Sequence, residues 1–158
     1  MKKMLKNKKG FSLVELVIVI AIMGVLAAVA ISMFTGMIQR SRRRADDVRA
    51  QQIQKAIVTY IAETGDGDLS ELNLSGGNPL DDLLSKLQIK NTITLPNGTT
   101  EDFGPYLENI KNQQAATNYY PQQEGSDGWQ IDVDSQTGNV QVQIVITGGT
   151  ATKGLNIN

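Results

Sequence analysis

The sequence predicts an α+β protein in which one long N-terminal helix packs, through its second half, on a small antiparallel β-sheet head. Two observations predict this architecture. From Leu16 to Ile38 there are 23 consecutive residues without a charge, nearly all apolar, and a helix of that length is roughly 34 Å long, enough to cross a bilayer core. Near the other end, apolar and polar residues alternate over 129–147, which indicates a hairpin with one buried face.

A short basic segment precedes the apolar stretch. Residues 1–10 contain five lysines and no acidic residue. An ordinary secretory signal places its cleavage site behind a shorter apolar region. Here the candidate site, between Gly10 and Phe11, lies ahead of the apolar region. Cleavage at this site removes the lysines and leaves the apolar segment, residues 11–38, on the mature chain.

The residues around this site resemble a known processing signal. The run KKGFSLVEL at residues 8–16, leading directly into the apolar helix, resembles the class III signal of type IV pilins and type II secretion pseudopilins. The resemblance covers about residues 8–38 and implies a type IV pilin-like fold. It also implies cleavage after Gly10 by prepilin peptidase, N-methylation of the new amine of Phe11, and a match of Glu15 to the family's glutamate.

Glu15 can be interpreted in two ways. It lies four residues from Phe11, roughly 6 Å along a helix axis, where the headgroup region relieves the cost of about 3 kcal/mol that a carboxylate meets at mid-bilayer. Within a bundle of such helices, however, a buried carboxylate requires a cationic partner. The freed amine of Phe11 on an adjacent subunit is the candidate. We therefore predict that Glu15 sets the register between assembled subunits.

The helix is predicted to run from Ser12 to Thr64, roughly 80 Å, and to end at the following glycines. Unlike many pilins, the chain has no proline between Phe11 and Tyr60, so Gly24 and Gly36 are the positions for any bend. Residues 39–64 form an amphipathic half. Its apolar residues at helical spacing are Ala45, Val48, Ile53, Ala56, Ile57, Tyr60 and Ile61, and the stripe at 53–61 is predicted to be core.

The globular head is assigned to residues 45–158. It contains a region of loops, 65–128, followed by the hairpin. A short helix is predicted after the N-cap Asn78, with Leu80, Leu83, Leu84 and Leu87 on one face. The remaining predictions are a polar loop at 65–78, a strand at 93–95 with a turn at 96–98, a helical turn at 104–110, a surface loop at 112–128, and a frayed edge or short strand in the tail to Asn158.

Charge is distributed unevenly along the chain. The net charge is −1, but removing residues 1–10 leaves 10 basic against 16 acidic residues, a net charge of −6. A nucleic-acid partner is therefore not expected. Arg40, Arg42, Arg43 and Arg44 follow the apolar stretch. The favoured interpretation is a solvated collar partly offset by Asp46 and Asp47; the alternative is contact with acidic heads of neighbouring subunits or with lipid phosphates.

Catalytic and cofactor chemistry has little support in the sequence. The chain contains no Cys and no His, which removes thiolates, the commonest general base and the commonest metal ligand. Asp127, Asp132 and Asp134 offer oxygen atoms for calcium, but EF-hand spacing is missing. We predict neither an enzyme nor a bound cofactor.

The sequence thus favours a structural subunit of a type IV pilus, inserted in the cell membrane with its N-terminus inside. Its partners are prepilin peptidase, the assembly platform, the membrane before assembly, and further copies of itself in an extracellular filament for adhesion, motility or biofilm formation. One alternative is a pseudopilin of a type II secretion or competence DNA-uptake system. Another is a monomeric membrane-anchored binding protein that keeps an uncut N-terminus.

Overall fold

The structure, a computed structural model, describes residues 11–109, 116–149 and 152–158. Two compact units are present, Met1–Arg40 and Ser41–Asn158. Helix α1, Leu13–Thr64, contains 52 residues and runs through both units. The predicted helix is therefore confirmed to within one residue. The predicted leader, with Gly10, lies outside the described residues.

The N-terminal half of α1 is an uninterrupted α-helix. It continues through Gly24 and Gly36. Its hydroxyl groups are satisfied locally: Ser32 Oγ donates to the carbonyl of Val29 at 2.9 Å and Thr35 Oγ1 to that of Ile31 at 3.0 Å. These side chains consequently add no unpaired donor to the apolar helix surface.

The C-terminal half of α1 supplies one side of the head's core. Ile53, Ile57 and Tyr60 are fully buried. Val48, although apolar and at helical spacing, lies outside this stripe and is 53% exposed. Five residues along a helix correspond to about 140° of rotation, which turns Val48 away from Ile53. The helix ends where Gly65, at φ +75°, donates its N–H to the carbonyl of Ile61 at 2.9 Å.

The rest of the head is a short helix and two small sheets. Strands β1 and β2 form an antiparallel pair, and the second sheet has the strand order β4-β3-β5. The elements are helix α2 (Pro79–Lys86) and strands β1 (Asn91–Thr94), β2 (Thr100–Phe103), β3 (Ser126–Val133), β4 (Val140–Ile146) and β5 (Gly154–Ile157). The predicted short helix, first strand, turn and hairpin are present, whereas β2 was missed.

The hairpin β3–β4 forms the opposite side of the core. Trp129 is fully buried, and its indole N–H donates to the carbonyl of Tyr119 at 2.6 Å. Gln54 of α1 donates through Nε2 to the carbonyl of Val140 at 2.7 Å. The alternation predicted over 129–147 would bury Ile146, but Ile146 is 50% exposed and Val145 is 3% exposed. An irregularity in β3 between Ser126 and Gly128 changes the register there, so alternation fails at this end.

The tail forms strand β5, which pairs parallel to β3. The second sheet is therefore mixed rather than wholly antiparallel. The last residue is held on both sides, because Asn158 N–H donates to Val133 at 2.9 Å and Asn158 accepts from Ser135 N–H at 2.9 Å. Of the two outcomes predicted for the tail, the short strand is confirmed.

The segment 65–78 is more than a polar loop. It includes a 3-10 helix, Ser70–Leu72, and buries Leu69 and Leu72. Asp66 organises it: its carboxylate accepts the N–H groups of Ser70 at 3.1 Å and Glu71 at 3.0 Å. This carboxylate provides hydrogen-bond acceptors for the backbone N–H groups of the segment. Leu69 and Leu72 can therefore join the core although the segment is rich in glycine and acids.

Two further loop predictions are wrong in part. Over 104–109 there is no helical turn; instead Tyr106 and Leu107 both donate their N–H groups to the carbonyl of Leu87, at 2.9 and 2.8 Å. The predicted surface loop contains a 3-10 helix, Ala116–Tyr119, with both end residues buried. Residues 110 and 112–115 of these two predictions lie outside the described residues.

Tyrosine hydroxyls join separate parts of the head. Tyr60 donates to Asp66, Tyr120 to Asp81, and Tyr106 to Glu63 at 2.8 Å. Tyr119 donates to the carbonyl of Glu108 at 2.9 Å. Burial raises the pKa of all four phenols, and the acceptor carboxylates raise it further for Tyr60, Tyr106 and Tyr120; the pKa of Tyr120 rises to about 12.

We expect the phenols of Tyr60, Tyr106 and Tyr120 to stay protonated in the folded head at about pH 11, above the ordinary tyrosine pKa of about 10. Because the folded pKa values are raised, the head holds protons that the unfolded chain releases. Stability is therefore present below about pH 10 and is lost as pH rises toward the folded pKa values. Absorbance titration of phenolate checks this. Substantial phenolate while Trp129 fluorescence remains native contradicts it.

Candidate assembly surface

The most prominent surface feature is the apolar face of residues 11–38. Large apolar side chains here are exposed on every side of the helix, from Leu13 at 77% to Met33 at 68% and Ile38 at 50%. An 18-residue window of α1 has a mean hydropathy of 2.9 and no buried residue, so by length and composition this helix can cross a membrane. An apolar surface of this extent requires lipid or other apolar helices around it.

The start of this helix is capped by Glu15. The backbone N–H of Ser12 donates to Glu15 Oε2 at 3.0 Å, and the N–H of Leu16 donates to the carbonyl of Ser12 at 3.2 Å. A carboxylate in the first turn satisfies an N–H group that lacks a helical partner and interacts favourably with the helix dipole. Glu15 is otherwise exposed, so its carboxylate is accessible to a cation from outside the helix.

The arginine collar is exposed as predicted, but one of its expected counter-charges is not. Asp46 is fully buried. It cannot offset the collar, because its oxygens are committed elsewhere. Asp46 accepts the N–H of Gln122 at 2.8 and 2.9 Å, the N–H of Gln123 at 2.7 Å and the guanidinium of Arg49 at 2.9 Å. Asp47 alone of the two acids remains exposed.

Asp46 is thus a residue that joins two parts of the head and that the sequence interpretation missed. Its carboxylate joins α1 to the loop before β3, 76 residues later in the chain. Helical spacing gave a usable signal: Asp46 lies seven and eleven residues before Ile53 and Ile57, which places all three on one face.

The acids considered for calcium are each engaged by protein groups. Asp127 faces Lys153 at 3.6 Å, Asp132 accepts from Asn156 at 2.7 Å, and Asp134 accepts the N–H groups of Gln136 and Thr137 at 3.0 Å. The bonds from Thr137 hold the pKa of Asp134 below its usual value. Within the described ranges no cluster of three or more His, Cys, Asp or Glu side chains could hold a metal ion.

These features define a class: proteins with one apolar N-terminal helix, an acid-capped first turn and a small α+β head. Comparison with known families agrees. The prokaryotic N-terminal methylation motif matches residues 5–31. The chain is 36% identical over 74 residues, 47% of each chain, to the type IV major fimbrial protein FimA of Dichelobacter nodosus. A second FimA from Dichelobacter nodosus is 40% identical over 60 residues, 38% of each chain.

The N-terminal part of the chain is thus similar to type IV pilins. The match spans about half the length of these curated relatives or less. No solved structure matches the chain significantly.

Proposed function

We propose that this chain is a structural subunit of a type IV pilus, with no enzymatic role. The observation that carries the proposal is the exposed apolar surface of residues 11–38, which overlaps the methylation motif at residues 5–31. Before assembly lipid covers this surface, and after assembly the same helices of other copies cover it. Exchanging lipid for like helices gives little hydrophobic gain, so packing and polar pairing must supply the specificity.

Processing prepares the helix for this exchange. In the proposed sequence of events the chain is inserted with its N-terminus inside and its head outside, prepilin peptidase cuts after Gly10, and the amine of Phe11 is methylated. Each lysine moved through the bilayer centre costs about 3 kcal/mol, and residues 1–10 contain five. Outward extraction of the uncut chain is therefore strongly unfavourable, whereas the cut chain carries only the Phe11 amine and Glu15 in this region.

Glu15 is proposed to pair with the Phe11 amine of a neighbouring copy. In the single chain one carboxylate oxygen of Glu15 accepts the N–H of Ser12. The exposed side chain has a second oxygen that can accept from another donor. Within a dry bundle of helices both charges need each other, since a buried charge without a partner is costly. One such pair for each contact fixes the axial offset between subunits.

Subunits that repeat one heterologous contact form an open filament instead of a closed ring. We propose that an assembly platform in the membrane extracts the processed subunit into this extracellular filament, which serves adhesion, motility or biofilm formation. The FimA relatives are described as major fimbrial proteins, and this supports a filament role.

Mass spectrometry of the protein from sheared cell-surface filaments tests the proposal. We expect long surface filaments built of this chain, with Phe11 as an N-methylated first residue, and their loss on deletion. A pseudopilin predicts the same N-terminus without long surface filaments. A monomeric anchored binding protein predicts an intact Met1 and no filaments. Either of these results overturns the pilus proposal.

A further inference from the structure

The solvent-facing side of α1 in the head carries an unusual stripe of side chains. Helical geometry places six exposed residues within about 80° of one another and opposite the buried face at Ile53 and Tyr60. We call them the basic stripe: Arg44, Val48, Gln51, Lys55, Val58 and Ala62. Val48 is 53% and Val58 41% exposed. The stripe contains two cations and no acid, and Asp47 lies just outside one edge.

Neither cation of the stripe forms an ion pair with another described residue. The ion pairs among the described residues join Arg49 to Asp46 and Lys153 to Asp127. Arg49 therefore belongs to the buried Asp46 cluster, whereas Arg44 and Lys55 are exposed and form no ion pair in the described part of the chain. Cations set among half-exposed valines suit an acidic surface that also offers apolar contact.

The remainder of the head has the complementary charge. Residues 65–158 contain 12 acidic and four basic residues, a net charge of −8. Many of these acids are exposed, among them Asp68, Glu101 and Asp127. Two copies of the stripe facing each other would repel, which disfavours a symmetric pair of helices. The stripe of one copy and the acidic surface of another attract, and that contact is heterologous.

We propose that the basic stripe is the surface through which the head of one subunit docks on the acidic head of a second copy. The inference rests on the proposed filament. The proposed partner is a protein because the stripe extends beyond the depth of the lipid headgroups. Counted along α1, Lys55 lies 17 residues beyond Ile38, roughly 25 Å, whereas the headgroup layer is only about 5–8 Å deep on each side. Lipid phosphates cannot serve the whole stripe.

Charge reversal in the full chain tests this docking. The double variant Arg44→Glu with Lys55→Glu is expected to reduce the yield of sheared filaments at least tenfold, while the processed subunit still accumulates in the membrane. Lys86→Glu with Lys90→Glu makes the same change of charge outside the stripe and is the matched control, expected to assemble normally. Trp129 fluorescence during thermal unfolding verifies that both heads fold.

A second measurement uses the chain's lack of cysteine. A Val48→Cys variant should react with maleimide as a detergent-solubilised monomer and be protected in intact filaments, with urea-denatured filaments as the full-labelling reference. Equal labelling of monomer and filament, or normal filament yield from the stripe variant, overturns the docking surface. Loss of the folded variant from the membrane also overturns it, because the stripe would then act before assembly. Absence of filaments in the unmodified strain instead overturns the proposed function.

Discussion

Replacing Glu15 with glutamine is expected to abolish surface filaments while leaving cleavage after Gly10 intact. Glutamine keeps the size of the side chain and an oxygen that can accept the N–H of Ser12, but it removes the charge. The Phe11 amine of the adjoining copy is then buried without a partner, at a cost of about 3–5 kcal/mol for each contact. Since about 1.4 kcal/mol is tenfold in an equilibrium constant, assembly falls at least a hundredfold.

Quantifying sheared filaments and the mass of the membrane-bound subunit checks this result. Ser12→Ala is the matched control, because its backbone N–H still donates to Glu15 and the carboxylate keeps its charge. It should assemble normally. Wild-type filament yield from the glutamine variant would show that charge pairing does not set the register, and that Glu15 acts only in capping its own helix.

Replacing Asp46 with alanine is expected to lower the free energy of unfolding of the head by about 3–5 kcal/mol. The change leaves the N–H groups of Gln122 and Gln123 without their acceptor and Arg49 without its counter-ion. Against a total stability of about 5–15 kcal/mol for a small domain, a loss of this size shifts the chain toward the unfolded state at growth temperature.

Denaturant unfolding of the detergent-solubilised chain measures the effect, with Trp129 as the probe. It is the single tryptophan and fully buried. Asp47→Ala removes an exposed carboxylate from the next position and should change stability by less than about 0.5 kcal/mol. Equal unfolding curves for the two variants would refute the stabilising role of Asp46.

Much of this fold is predictable because strong periodic signals specify it. The apolar run, its basic leader and the Phe11-to-Glu15 spacing predict the first unit. Helical spacing predicts the contribution of Ile53 and Ile57 to the core, and alternation predicts the hairpin at Trp129. These signals arise from local geometry, since each face of a helix or strand meets one environment.

The errors fall where contacts between distant segments decide the structure. Asp46 is polar and lies beside four arginines, so it suggests a solvated surface; only the loop at Gln122 makes its burial favourable. Strand β5 pairs parallel to β3, a register that no turn connects directly. The helical turn expected at 104–110 is replaced by two hydrogen bonds to one carbonyl of Leu87, a partner that sequence distance conceals.

The unbroken course of α1 has a mechanical consequence. A helix that runs from Leu13 to Thr64 without proline keeps its ladder of backbone hydrogen bonds along its full length, and pulling on a filament loads that ladder in series. Elastic extension has to begin where side chains protect the backbone least, at Gly24 and Gly36. A filament of such helices should therefore resist stretching and yield abruptly when those two turns uncoil.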